Sequence, residues 1–159
     1  MPAADEKEQK MDKDRIYMNI AHEIARLSHC VSHKVGAILV KDGRILSTGI
    51  NGTPKKFMNC DQVFCGCGFS REDHHTFSEN YEIHAETNAI LFAAENGISI
   101  KGAVMYSTLH PCNGCLKMIC NSGIRKVLYD REYDLFREDK SMTEMLKACG
   151  VELMRLPEA

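Results

Sequence analysis

The sequence contains no tryptophan, and its aromatic residues are limited to six phenylalanines and five tyrosines. Proteins that hold single-stranded nucleic acid by stacking bases on aromatic side chains generally carry more of them. The net charge is also small, because 20 basic and 22 acidic residues give a formal charge of −2. No overall positive field therefore attracts a phosphate backbone, and we expect no nucleic-acid partner.

Long apolar segments are missing as well. No run approaches the roughly 20 apolar residues of a membrane-spanning helix, and the first 14 residues are polar and acidic, unlike a signal peptide. The composition, 44% hydrophobic and 26% charged, is that of a globular protein, and 159 residues suit one domain. We therefore expect a cytoplasmic protein without a membrane partner, with a flexible tail over residues 1–12 and a single domain over residues 13–159.

Hydrophobic periodicity predicts a hairpin followed by alternating helices and strands. The predicted helices cover residues 14 to about 30, 84–96, 111–121 and 141–149, and the predicted strands cover residues 35–40, 45–50, 103–108, 127–130 and 151–156. Residues 55–82 show no clear period and are predicted to be irregular. Since helix-linked strands are usually parallel and hairpin strands antiparallel, we expect an α/β fold with one mixed five-stranded sheet and helices on both sides.

Cysteine is what the chain has in excess, with eight cysteines beside seven histidines. In a short secreted chain this number would suggest disulfides, but nothing here suggests secretion. In a reducing cytosol such clusters more often bind metal or take part in catalysis. We therefore expect metal binding, with disulfides as the alternative. Cys120 and Cys149 lie on apolar faces of predicted helices, where they are expected to pack as buried free thiols.

Two short motifs combine metal ligands with a carboxylate. His84-x-Glu86 begins one predicted helix, and Cys112-x-x-Cys115, preceded by Pro111, begins the next. Cysteines three residues apart share a helix face, and a helix N-terminus favours their thiolates. One histidine and two cysteines make three zinc ligands, which leave a position for water, whereas a structural zinc normally has four. Zinc lowers the pKa of such a water to about 7, and Glu86 can act as its proton shuttle.

Together, His-x-Glu and Pro-Cys-x-x-Cys form the signature of zinc-dependent nucleobase deaminases. The alternative is a structural zinc beside an exposed Glu86. A non-catalytic binding module that is stabilised by zinc would contain such a site. The joined pattern, with a strand and a helix around each half, favours catalysis. The nearest catalytic rival is a deaminase of RNA or single-stranded DNA, which would need a basic groove and exposed aromatic side chains.

Longer segments resemble the deoxycytidylate (dCMP) deaminases, particularly those of phages. They are Lys-Val-Gly-Ala at 34–37, Thr-Gly-Ile-Asn-Gly-Thr-Pro at 48–54, Glu-Ile-His-Ala-Glu-Thr-Asn-Ala-Ile at 82–90 and Met-Tyr-Ser-Thr-Leu-His-Pro-Cys-Asn-Gly-Cys at 105–115. The similarity runs from about residue 16 to residue 156. Ile50 stands where the family usually has tyrosine.

The resemblance implies a three-layer α/β/α cytidine-deaminase-like fold. It also implies hydrolysis of dCMP to dUMP and ammonia, which supplies dUMP for thymidylate synthesis. His84, Cys112 and Cys115 would hold the catalytic Zn²⁺, and the activated water would attack C4 of cytosine. Glu86 would take the proton of that water, protonate N3 and assist departure of the amino group.

The resemblance further implies substrate and effector contacts. Lys34 is the candidate partner of the 5′-phosphate, although a solvated lysine is the alternative, and Asn51 is the candidate partner of a sugar hydroxyl, although Asn-Gly is also an ordinary turn. Family members are often hexamers that dCTP activates and dTTP inhibits, and Mg²⁺ can accompany such effectors. By resemblance, the site at which these effectors bind corresponds to the turn formed by Gly49, Asn51, Gly52 and Pro54. The apolar run at 90–94 suits either a buried helix or a subunit interface.

A second, structural zinc is also implied by the resemblance. The residues that align with its ligands are Cys30, Cys60, His74 and Glu82. From the residues alone, the competing ligands are Cys65, Cys67 and His75. Such a site would tie the end of the first helix to the long irregular segment, and buried free cysteines are the alternative.

Overall fold

The computed structural model describes residues 4–66, 68–132 and 140–157. Its helices are α1 (Ala4–Ala25), α2 (Cys60–Val63), α3 (Arg71–Tyr81), α4 (Ala85–Glu95), α5 (Asn113–Ser122) and α6 (Lys140–Cys149). Its strands are β1 (Gly36–Lys41), β2 (Arg44–Ile50), β3 (Val104–Ser107), β4 (Lys126–Tyr129) and β5 (Glu152–Arg155). None of the described helices combines the length and the apolar composition needed to cross a membrane.

The five strands form one mixed sheet in the order β2-β1-β3-β4-β5. The pairs β1–β2 and β1–β3 are antiparallel, while β3–β4 and β4–β5 are parallel and are connected through α5 and α6. Asp42 and Gly43 close the β1–β2 hairpin with positive φ angles of 50° and 72°, the conformation that an Asp-Gly pair favours. The predicted mixed sheet is confirmed.

Successive side chains of each strand point to opposite faces of the sheet, so the hydrophobic core is divided between the two faces. In β1, Ile38 and Val40 pack with Met18 of α1 on one face. Ala37 and Leu39 belong to the larger cluster on the other face, which also contains buried residues of α4, α5 and α6. This arrangement is the expected three-layer α/β/α fold.

Two glycines let helices lie unusually close to the sheet. A Cβ on Gly36 would lie 2.3 Å from the carbonyl oxygen of Ala21 in α1. A Cβ on Gly49 would lie 2.1 Å from the carbonyl oxygen of Ala85 in α4. Gly49, which the resemblance assigns to an effector site, therefore has a packing role that places the first turn of α4.

Helix α1 differs from the prediction at both ends. It begins at Ala4 rather than near residue 14, and it ends at Ala25 rather than near residue 30. Residues 6–13 are exposed and rich in Glu, Lys and Gln, which favour helix by propensity but present no apolar stripe. The division into a flexible tail over residues 1–12 and a domain over residues 13–159 stays a prediction.

The prediction of an irregular segment over residues 55–82 is wrong, because it contains α2 and α3. Helix α3 buries one apolar residue, Phe77, so its sequence shows little periodicity. Its start was nevertheless encoded: the Ser70 hydroxyl accepts a hydrogen bond from the Asp73 N–H at 3.0 Å, and the Asp73 carboxylate accepts one from the Ser70 N–H at 3.2 Å. This reciprocal cap resembles the capping box, with Asp in place of Glu.

Candidate active site and metal clusters

The structure brings His84, Cys112 and Cys115 together, with their ligand atoms all within 4.8 Å of one another. His84 Nδ1 lies 3.3 Å from Cys112 Sγ and 3.5 Å from Cys115 Sγ. A nitrogen and two sulfurs at these separations are donors that suit zinc. The three donors are the ones that the sequence motifs predict.

The cluster lies where helices α4 and α5 begin. His84 is the N-cap of α4 and Cys112 is the N-cap of α5, so the positive ends of two helices meet at the ligands. Hydrogen bonding from Cys115, together with His84, holds the pKa of Cys112 well below its usual value despite burial. The cluster therefore favours a thiolate, the form in which cysteine binds metal.

Glu86 lies beside the cluster in the first turn of α4 and is 3% exposed. Its Oε2 is 3.7 Å from Cys115 Sγ, and its Oε1 is 2.9 Å from the Ser107 hydroxyl. Burial raises the pKa of the Glu86 carboxyl above its usual value. A buried carboxylate next to a three-donor metal cluster can serve as a proton carrier, and the alternative with an exposed Glu86 does not match this structure.

The Ser107 hydroxyl can support Glu86 in both protonation states. It lies 2.9 Å from Glu86 Oε1 and 2.9 Å from the carbonyl oxygen of Leu109, but it has one hydrogen to donate. It can donate to an ionised Glu86, or it can donate to Leu109 and accept from a protonated Glu86. Ser107 is not among the residues that the sequence motifs predict, although its position at the end of β3, shortly before Pro111, is a usable signal.

The second cluster contains the four predicted residues, Cys30, Cys60, His74 and Glu82, with ligand atoms all within 4.8 Å of one another. Cys30 Sγ lies 3.5 Å from His74 Nε2 and 3.8 Å from Glu82 Oε2. Of the competing candidates, Cys65 and His75 are exposed and outside the cluster, and Cys67 lies outside the described residues.

The donor set of the second cluster fits a closed metal site. Glu82 Oε1 is buried without a hydrogen-bond partner among the described residues, whereas its Oε2 accepts from the Ser78 hydroxyl at 2.8 Å. Leaving a buried carboxylate oxygen unpaired is costly unless a cation compensates it. Cys30 and Cys60 are only 3% and 2% exposed, and burial raises the pKa of Cys60 to about 12. Two sulfurs, an imidazole and a carboxylate are typical ligands of a four-coordinate zinc.

A cleft of about 370 Å³ joins the two clusters. Glu86 and Cys112 line it on one side, and α3 contributes Arg71 and His75 to its wall. Its volume falls in the usual range for small-molecule sites, roughly 300–1,000 Å³. Lys34 is exposed and is not among the lining residues, so the prediction that it contacts substrate has no support in this geometry.

Asn51 lines the cleft, but most of its amide group is already used. Its Oδ1 accepts from the Ser28 hydroxyl at 2.7 Å and from the Val35 N–H at 2.9 Å, and its Nδ2 donates to the His33 carbonyl at 2.7 Å. The side chain thus joins the end of β2 to the segment between α1 and β1. One N–H remains for a ligand, so its role towards substrate stays a prediction.

The turn over residues 49–54, which the resemblance assigns to effectors, is hydrogen-bonded to the segment that precedes α4. Gly52 exchanges backbone hydrogen bonds with Ile83, directly before His84, at 3.0 and 2.8 Å. Pro54 is exposed. A small cavity of about 100 Å³ separates this turn from the second cluster. An effector site at this turn stays a prediction.

Comparison with known proteins agrees with this geometry. A family model described as the cytidine and deoxycytidylate deaminase zinc-binding region matches residues 11–130. The deoxycytidylate deaminases of Enterobacteria phages T2 and T4 are each 37% identical to the chain, and the alignments cover 89% of it and 90% and 88% of those proteins. The crystal structure of dCMP deaminase from the cyanophage S-TIM5, in complex with dCMP and dUMP, matches with a TM-score of 0.69 at 33% identity, covering 98% of this chain and 99% of that one. These similarities confirm the resemblance and the fold.

Proposed function

Since this chain belongs to the cytidine and deoxycytidylate deaminase family, we propose that it catalyses the hydrolysis of dCMP to dUMP and ammonia. The observation that carries this proposal is the three-donor cluster of His84, Cys112 and Cys115 with the buried Glu86 beside it, at the wall of a cleft of about 370 Å³. The substrates named for the phage relatives and for the S-TIM5 complex support dCMP as the nucleotide.

A zinc ion held by the three donors would supply a Lewis acid that makes a bound water acidic near neutral pH. Side chains of the protein carry out the proton transfers. Glu86 accepts a proton from the attacking water at a carboxylate oxygen and donates it to N3 of the cytosine ring. It then takes the remaining proton of the hydroxyl added at C4 and passes it to the amino group, which leaves as ammonia while the C4 carbonyl forms. Ser107 holds the carboxyl in place in both protonation states.

A substrate panel tests the proposal. The zinc-loaded protein is assayed for ammonia release with dCMP, deoxycytidine, dCTP and a cytosine-containing oligonucleotide. We expect kcat/KM for dCMP to exceed that for deoxycytidine by about 10–100-fold, since one charged phosphate contact is worth that much. Preferred turnover of the oligonucleotide would replace the proposal by a nucleic-acid deaminase. No turnover of any compound by fully zinc-loaded protein would favour a binding module.

Arg71 replaces Lys34 as the candidate partner of the 5′-phosphate. It is the first residue of α3 and lines the cleft. Within the described residues no carboxylate forms an ion pair with its guanidinium, so its charge is available to a ligand. Guanidinium groups bind phosphate through paired hydrogen bonds. Arg71 is not among the residues predicted from the sequence, because residues 55–82 show no clear hydrophobic period and helix α3 could not be recognised there.

Replacing Arg71 by Ala is expected to raise KM for dCMP by about 10–100-fold, because a charge-assisted phosphate contact is lost. The rate with deoxycytidine, which has no phosphate, should stay unchanged. Steady-state kinetics with both compounds measure the effect. Lys34→Ala is the matched control and should behave as the wild type. The opposite pattern, with Lys34→Ala impaired and Arg71→Ala normal, would restore the sequence-based assignment.

We also propose that Cys30, Cys60, His74 and Glu82 bind a structural zinc. The unpartnered Glu82 Oε1 and the closeness of the four donor atoms support this. With four protein ligands, such a site leaves no position for a reacting water. It would join the segment after α1 to α2 and α3 and thereby hold Arg71 at the cleft.

Replacing Cys60 by Ser is expected to lower the zinc content from about two ions per chain to about one, because a four-ligand site loses an essential thiolate. The melting temperature should fall at the same time. Elemental analysis and thermal unfolding provide the measurements. Cys65→Ser is the control, since that cysteine is exposed and outside the cluster, and it should retain both ions. One zinc in the carefully reconstituted wild type would contradict the second site.

Finer features of the resemblance remain proposals. The protein would be a cytoplasmic homo-oligomer, a hexamer, that supplies dUMP for thymidylate synthesis and responds to dCTP, with Mg²⁺, and to dTTP at the turn over residues 49–54. Leu91 and Phe92 are 49% and 45% exposed on α4, which supports a subunit contact there. Light scattering and rates measured with both nucleotides test these points. A monomer indifferent to both would refute them.

A further inference from the structure

Cys115 has a sulfur whose charge, when it binds metal as a thiolate, must be stabilised by the protein itself. Water can do this at Cys149, which is exposed, so the expectation of a buried thiol there is wrong. Cys115 is only 2% exposed and lies in the first turn of α5. A buried charge needs polar partners. The groups around the Cys115 sulfur therefore affect how well it serves as a metal ligand.

Two of these groups belong to the proposed active site. Cys115 Sγ lies 3.5 Å from His84 Nδ1, which is a fellow ligand, and 3.7 Å from Glu86 Oε2. An imidazole nitrogen that binds metal has no hydrogen to donate, and an ionised carboxylate has none either. The charge of Glu86 also disfavours a neighbouring thiolate. An ionised Cys115 therefore gains from a donor outside this cluster.

Thr87 supplies such a donor. It follows Glu86 in α4, and its Oγ1 lies 3.5 Å from Cys115 Sγ in α5. A thiolate carries no hydrogen, so the hydroxyl donates and the sulfur accepts. Met118 Sδ, at 4.0 Å, is the competing acceptor. A thioether is a weak acceptor, whereas hydrogen bonds to an ionised acceptor are the stronger ones, so the hydroxyl favours Cys115.

Cys112 obtains its hydrogen bond in a different way. It is the N-cap of α5, and its Sγ accepts from the backbone N–H of Cys115 at 3.5 Å. That contact comes with the helix start, whereas the contact from Thr87 depends on a side chain of another helix. Thr87 is not among the described residues that line the cleft. It therefore acts through Cys115 rather than on a substrate.

We propose that Thr87 is a positioning residue of the metal cluster, an inference that rests on the proposed function: its hydroxyl donates a hydrogen bond to the Cys115 thiolate and thereby strengthens zinc binding by His84, Cys112 and Cys115. The bond orients the Cys115 side chain and offsets the loss of water around its charge. Partners of this kind typically contribute about 10–100-fold to metal affinity.

Thr87→Val tests the proposal, because valine keeps the branched shape of threonine but lacks the hydroxyl. The zinc-loaded full chain is equilibrated with increasing concentrations of a zinc chelator, and the zinc remaining per chain is measured by elemental analysis. We expect the ion of the three-donor cluster to bind about 10–100-fold more weakly than in the wild type. The same titration of Cys60→Ser, which should lack the second ion, shows which loss belongs to this cluster. An unchanged affinity in Thr87→Val would overturn the proposal.

Thr87→Ser and Met118→Leu are the controls. Serine keeps the hydroxyl and loses the methyl group, so Thr87→Ser should hold zinc nearly as the wild type does. Met118→Leu removes the competing acceptor and should also retain the ion. If serine weakens zinc binding and valine does not, Thr87 acts by packing, and the proposal is refuted. A loss of zinc affinity in Met118→Leu equal to that in Thr87→Val would refute it as well.

The wild type separates this inference from the proposed function. If it binds zinc at the three-donor cluster and deaminates dCMP while Thr87→Val keeps the same zinc affinity, the role of Thr87 alone is wrong. If the wild type holds zinc there but turns over no nucleotide, and Thr87→Val still loses affinity, the role of Thr87 stands and the proposed activity fails. A wild type that binds no zinc at this cluster would refute both.

Discussion

Replacing Glu86 by Gln is expected to lower kcat for dCMP by about 10²–10⁴-fold, the usual contribution of a positioned proton carrier. The change removes the titrating group but almost preserves the shape of the side chain. The amide that replaces the carboxyl can still hydrogen-bond to Ser107, which lies 2.9 Å from Glu86 Oε1, so the fold should be retained. Since Glu86 is not among the three clustered donors, zinc should also be retained. Single-turnover kinetics, circular dichroism and elemental analysis measure these three properties.

Glu95→Gln is the matched control for this experiment. Glu95 lies on the same helix, α4, but its side chain is 60% exposed and paired with Lys55 at 2.7 Å. An exposed pair of this kind contributes little to stability, so the rate should not change. An intact rate in Glu86→Gln would show that Glu86 is not the proton carrier. Loss of zinc from that variant would show that Glu86 helps to hold the metal, contrary to the three-donor arrangement.

Replacing Gly49 by Ala is expected to destabilise the protein by about 3 kcal/mol, the upper part of the range for overpacking. The added Cβ would lie 2.1 Å from the Ala85 carbonyl oxygen and 2.4 Å from the Ala89 nitrogen. Both are backbone atoms of α4, so no side chain can rotate away to relieve the overlap. Helix α4 must therefore move away from β2. Because His84 is the N-cap of this helix and Glu86 lies in its first turn, both side chains would move with it. Chemical denaturation should show the loss of stability, and kcat should fall as well.

Gly52→Ala is the control from the same turn. Apart from its two chain neighbours, no described residue has a heavy atom within 4 Å of the position of its Cβ, and its backbone is not in the left-handed region. Its unfolding free energy should stay within about 0.5 kcal/mol of the wild type. If Gly49→Ala were as stable as the wild type and lost only its response to nucleotides, the packing role would be refuted and the effector role favoured.

Local spacing predicted the two halves of the proposed catalytic cluster, and the signature of zinc-dependent nucleobase deaminases joined them. Cys112 and Cys115 are three residues apart at a helix start, which places both on one face whatever surrounds them. His84 and Glu86 are likewise separated by one residue at the start of α4. The choice of ligands in these motifs depends on backbone geometry within single turns, and so it could be inferred without the fold.

The second cluster could not be derived in this way. Its four ligands are separated by 30, 14 and 8 positions along the chain, so no local period relates them. Resemblance supplied them, and the structure separates His74 from its neighbour His75 because successive residues of α3 point in different directions. That helix was itself missed, since apart from Phe77 it buries no side chain completely.

The amino-acid sequence by itself predicted the ligands of the proposed catalytic zinc, the proposed proton carrier and the mixed sheet, since these follow from two short motifs at helix starts that match a known signature and from strand alternation. Only the tertiary structure decided which cation faces the cleft, Arg71 rather than Lys34, and what supports Glu86, namely Ser107. These contacts join residues from different elements, and their distances depend on how helices and strands pack rather than on any pattern along the chain.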